Sequence, residues 1–125
     1  MHAVKAAGVF WIQDSSAGIM VYTATSDLPS VGDLVSFTAT KGKMYNQLKE
    51  ITVYSGFSVV SSGNSVLRGS GVPSAADEGK AWSMSPVALT SSLSDMNNVT
   101  VGGVQYRNES GSSIAVGTYT MNGPV

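Results

Sequence analysis

The chain contains no cysteine, so neither a disulfide framework nor a thiolate metal site can hold it together. It has one histidine, His2, placed at an end expected to be mobile. No Ser-His-Asp triad and no histidine-based metal centre can be assembled from that. Charge is scarce: Asp, Glu, Lys and Arg make up 12% of the chain, about half the usual share. The net charge of −1 provides no global positive field to draw in nucleic acid, so any such binding must come from a local patch. No apolar run approaches the roughly 20 residues of a membrane helix. Met1-His2-Ala3-Val4 has neither the basic start nor the apolar middle of a signal peptide. Helical periodicity is missing too: Ala75–Ala81 and Pro86–Met96 are the longest candidates, and each supports at most one turn, at Asp77-Glu78 or Ser94-Asp95. No glycine-rich phosphate cradle is present. The eight carboxylates form no cluster beyond Asp77-Glu78, which reads with Lys80 as a solvated helix start. Asp14 and Asp33 read as turn formers, not as metal ligands. The expectation is a protein without catalytic residues, metal or cofactor.

What is present points to β-structure. A chain of 125 residues, 42% apolar, is one domain with a modest core. Serine, threonine, glycine and asparagine replace the missing charge, a balance that predicts an extracellular or cell-surface protein of bacterial type whose signal peptide is not in this chain. Apolar and polar residues alternate with period two. In Val9–Gln13 and Gly18–Tyr22 the alternation sends Phe10, Ile12, Ile19 and Val21 inward and Trp11, Gln13, Met20 and Tyr22 outward. Asp14 to Gly18 is turn chemistry. A third strand begins at Val31-Gly32-Asp33, Lys41 to Asn46 turns the chain back, and Leu48 to Tyr54 returns. Ser61-Ser62-Gly63-Asn64 and Gly69-Ser70-Gly71 punctuate the stretch after this return strand. Val99, Val101 and Val104 point inward from a strand over 98–106, and 113–121 alternates again after a turn at Asn108–Ser112, which predicts a C-terminal β-hairpin.

Four segments carry a resemblance: Phe10-Trp11-Ile12-Gln13-Asp14, then Gly18-Ile19-Met20-Val21-Tyr22, then Val31-Gly32-Asp33-Leu34-Val35-Ser36-Phe37-Thr38-Ala39-Thr40, then Tyr45-Asn46-Gln47-Leu48. In this order the chain resembles the OB-fold nucleic-acid-binding domain that accompanies secreted bacterial nucleases. The resemblance covers residues 8 to about 54 and implies an all-β, OB-fold-like five-stranded barrel over about residues 2–60. A linker over 61–74 and a C-terminal extension over 75–125 would come after it. An OB barrel needs a long, bent first strand, and only His2–Ala7 is available. Either the chain is truncated at its start, or the region Val99–Tyr106 supplies the missing pairing in a rearranged barrel.

OB folds bind single strands with stacking aromatics and cationic grooves. The outer-face residues Trp11, Gln13 and Tyr22 are the expected stacking surface, with Met20 beside them. Lys41, Lys43, Tyr45 and Lys49 form the basic cluster beside it, holding three of the chain's seven cationic side chains. The expected function is a non-catalytic accessory module for single-stranded DNA or RNA. Two other readings use the same features. A barrel with half a first strand has an open edge that a protein partner could fill, which suits a structural subunit of an extracellular or phage-like particle. Exposed Trp11 and Tyr22 with neutral polar neighbours also suit carbohydrate. Asn98-Val99-Thr100 and Asn108-Glu109-Ser110 match the glycosylation pattern.

Overall fold

The computed structural model describes residues 1–46 and 48–125; Gln47, part of the Tyr45–Leu48 motif, lies outside the described residues. The chain is all-β and divides into two compact units, 1–82 with 123–125, and 83–122. The first unit runs past residue 60, where the barrel was expected to end, and takes in 61–82 as well. No helix among the described residues is long and apolar enough to cross a membrane.

The first unit is built on five strands: β1 (Ala3–Ala6), β2 (Val9–Gln13), β3 (Gly18–Tyr22), β4 (Leu34–Tyr45) and β5 (Leu48–Ser61). Their order in the sheet is β1-β2-β3-β5-β4, with β3 and β5 parallel and the other neighbours antiparallel. The expected inward set is confirmed by register: Phe10 faces Val21 and Ile12 faces Ile19 across β2 and β3. Phe10 and Val21 are both 0% exposed and form the centre of the core. Phe10 sets its edge against Phe57, centroids 6.1 Å apart. Phe37 lies 4.9 Å from Tyr54 and 6.2 Å from Phe57, so rings from β2, β4 and β5 interlock. Such pairs are worth about 0.5–1.5 kcal/mol each beyond the area they bury. The Tyr54 hydroxyl also donates to Asp27 Oδ2 at 2.5 Å, which ties the link between β3 and β4 to the same cluster.

Three expectations from the sequence are corrected by the structure. Among the described residues no closed barrel is found: β1 and β4 stand at the two edges of the sheet. The reason is length: β1 has four residues, a span of about 13 Å, against twelve in β4. The region 98–106 does not supply the missing pairing. It folds on itself instead, β7 (Asn98–Val101) against β8 (Val104–Arg107), around Gly102-Gly103. Both glycines have positive φ, 59° and 80°, which fits the two-residue loop of a tight hairpin. Residues 117–124 are not its partner: they form β9, which pairs with β6 (Ala81–Leu89). Finally, Lys41–Asn46 is not a turn. β4 continues to Tyr45, and the chain reverses at Asn46, whose φ of 47° is left-handed.

The helix candidates reduce to one 3-10 turn, Ala75–Asp77, with Ser74 as N-cap and Asp77 Oδ2 accepting from the Ser74 main-chain nitrogen. Pro86–Leu89 is strand. In the second unit Val87, Leu89 and Leu93 are buried, and Leu93 and Ile114 form an isolated antiparallel bridge. Asn108 is also buried there, 2% exposed. Its Nδ2 donates to the carbonyls of Leu93 and Ser112, so the glycosylation pattern at 108 falls on an amide already committed within the fold.

Candidate nucleic-acid interface

The outer face of the sheet starts from β2 and β3. Trp11 stands opposite Met20, and Val9 opposite Tyr22. The row then crosses the sheet: Met20 is in register with Glu50 on β5, and Glu50 with Lys43 on β4. Side chains alternate along a strand, so Trp11, Met20, Glu50 and Lys43 share one face. Trp11 is half-buried, and Tyr22 is 52% exposed. Glu50 was not picked out from the sequence. It is 5% exposed and places a carboxylate in the middle of this row. Only the pairing of β5 with β3 puts it there, and no local pattern announces that.

The two-stranded end of the β4–β5 hairpin carries the cations. Lys41, Lys43, Tyr45 and Lys49 are all exposed. Lys43 Nζ sits over the Tyr45 ring, 5.4 Å from its centroid, as expected for residues two apart on one face. Lys49 is in register with Met44, which puts it on the reverse of the hairpin from Lys43. Register shifts on both sides of Lys41 interrupt the alternation there. An open groove of about 560 Å³ runs beside this end, with Ile19, Met44 and Ile51 as its apolar wall and Lys41, Lys43 and Lys49 around it.

Gln13 has a different role from the expected one. Its Nε2 donates to the Leu67 carbonyl at 2.8 Å, and its Oε1 accepts from the Ala81 nitrogen at 2.8 Å. The side chain holds residues 67–82 against β2. Gly18, opposite Gln13, meets Gly79 backbone to backbone: a Cβ on Gly18 would lie 2.2 Å from the Gly79 carbonyl oxygen. His2 corrects the expectation of a mobile end. It is 2% exposed, and its Nε2 donates to the Gly79 carbonyl at 2.7 Å. Burial, with Arg68 among the nearby cations, pushes the imidazole below its usual range. Asp14 is the turn former expected of it. Its Oδ1 accepts from the Ser16 hydroxyl and from the Ser16 and Ala17 nitrogens, which hold its carboxyl at about 2. Asp33 Oδ2 likewise accepts from the Ser30 nitrogen.

The structure thus groups Trp11, Met20 and Tyr22 on one outer face and Lys41, Lys43, Tyr45 and Lys49 around the hairpin end, and it assigns Gln13 to internal architecture. Among the described residues no group of three or more His, Cys, Asp or Glu is placed to hold a metal ion. No protein-family model, no curated protein and no solved structure matches the chain.

Proposed function

We propose that the first unit is an open, OB-like sheet that binds single-stranded nucleic acid as a non-catalytic accessory module. The observation that carries this reading is the end of the β4–β5 hairpin. Three exposed lysines line one open groove there, Lys43 on the same face as exposed Tyr45 and Lys49 on the reverse, in a chain of otherwise low charge. Lysines at this density offer phosphate contacts, and Tyr45 offers a π-face worth about 1–3 kcal/mol per stacked base. Tyr22 and the exposed part of Trp11 extend the stacking surface over β3 and β2. The backbone of the strand follows the lysines and the bases follow the aromatics.

The test is fluorescence anisotropy of a labelled oligothymidine at several salt concentrations. Three phosphate contacts on a single strand give a log–log salt slope of about −2, or a loss of roughly 20-fold between 50 and 200 mM salt. Lys43→Ala should reduce that slope by about 0.7. Salt-independent binding, or a slope unchanged in Lys41→Ala, Lys43→Ala and Lys49→Ala, would remove the hairpin end as the site.

A further inference from the structure

Residues 67–82 cross the outer face of the sheet at one end of β2 and β3. The segment closes on itself. Gly69 bridges Trp82, the Gly69 nitrogen donates to the Ala81 carbonyl, and the Trp82 indole donates to the Gly71 carbonyl at 2.7 Å. The Trp82 ring lies so near Gly69 that a Cβ there would meet it at 2.1 Å. A loop of this length whose ends are pinned by its own side chain is an Ω-type loop, compact and packed on itself.

Side chains of the first strands and the N-terminus attach the loop. Gln13 and His2 hydrogen-bond to it through their side chains, while the Gly79 nitrogen donates to the Val125 carbonyl and the Lys80 carbonyl accepts from the Val125 nitrogen. The attachment also leaves polar groups unsatisfied. His2 Nδ1, Arg68 Nη1 and Glu78 Oε1 are buried without a hydrogen-bond partner. Two of these lie in the loop, and the third belongs to the imidazole that holds it. Each such group lacks in the docked state a bond that water would supply on release.

The loop sits beside the surface assigned to ligand. Gln13 and Gly18, the pair it covers, are two positions along the strands from Trp11 and Met20, about 7 Å away. We propose that residues 67–82 are a displaceable strap that occupies part of the polymer-binding face, so that strap docking and strand binding compete. This rests on the nucleic-acid reading above. It follows that the free protein holds the β2–β3 face in a partly closed state, and that a bound strand extending from the lysines toward Trp11 lifts the strap.

The test measures strap opening and binding separately. Amide hydrogen exchange at Gly69, Lys80 and Ala81 is followed with and without a saturating oligothymidine, while anisotropy reads the affinity. Competition predicts faster exchange at these amides in the complex. In Gly18→Ala the added Cβ strikes the Gly79 carbonyl, while the residue stays within an ordinary strand. That variant should exchange its strap amides quickly and bind the oligonucleotide roughly 5–10-fold more tightly. Binding by Gly18→Ala alone, with none by the wild type, would also support the strap as a competitor. Binding with strap amides unchanged or more protected would overturn the competition and leave the nucleic-acid reading in place. No binding by either protein would overturn both.

Discussion

The two units are held together in different ways. In the first, rings from three strands, Phe10, Phe37, Tyr54 and Phe57, meet around a fully buried Phe10–Val21 pair. In the second, the most connected buried side chain is an amide. Asn108 uses Nδ2 on two carbonyls, and its Oδ1 accepts from the Ser110 nitrogen and hydroxyl. Its main chain bonds to Asn97 and Met96. An apolar core tolerates small shifts because dispersion is non-directional, whereas a buried amide holds its loop only while every partner is in place. The first unit should therefore lose stability gradually with packing changes, and the second abruptly with the loss of one side chain.

The largest expected break is Phe10→Ala. It removes a ring that touches Phe57 and leaves a cavity, at a cost of about 3–5 kcal/mol by chemical denaturation. The effect should spread through all five strands, and a loss under 1 kcal/mol would mean that the rings are not the core. Asn108→Ala should cost less, about 1–3 kcal/mol, because it removes the hydrogen bonds that this buried amide makes to Leu93, Ser110 and Ser112. Its signature is local: amides of Asn97 and Ile114 lose exchange protection while Val21 keeps its own. Equal loss in both units would erase the contrast. The smallest effect is a pH dependence at His2. Its neutral form suits the buried site, so its contribution is complete above the ordinary histidine value of about 6.5 and declines as the pH falls below it. The melting temperature of the wild type should drop between about pH 6.5 and 5, and that drop should shrink in His2→Gln. Identical pH profiles for the two proteins would show that His2 contributes nothing.

The contrast also explains what was legible in the sequence. Period-two alternation gave β2 and β3, their faces, and Phe10 and Val21 as core, because local pleating fixes which side each residue meets. The lysines and Tyr45 were identifiable as residues, but not the strand that carries them. Lys41-Gly42-Lys43 has the composition of a turn, and only pairing along β5 extends β4 to Tyr45. The second unit was harder to read. Gly102-Gly103 between alternating valines was a hairpin signal as good as the Asn108–Ser112 turn, and the polar hub at Asn108 follows no periodicity at all. Gln13 looked free because its partners, Leu67 and Ala81, are more than 50 positions away in the chain. Glu50 was hidden for the same reason. Local pattern reports which residues can face a partner, and long-range pairing decides which partner they find.

The register shifts of β4 have a consequence for life in a crowded solution. A sheet edge of twelve residues is a template for other chains, and a protein with a net charge of −1 has little electrostatic repulsion to keep copies apart. β4 departs from straight register at four places along β5, and Lys41 and Lys43 stand on it. A bent, cationic edge offers an incoming strand neither a continuous ladder nor an uncharged approach. Protection against edge-to-edge pairing, which so small a net charge does little to supply, is here a matter of one strand's shape.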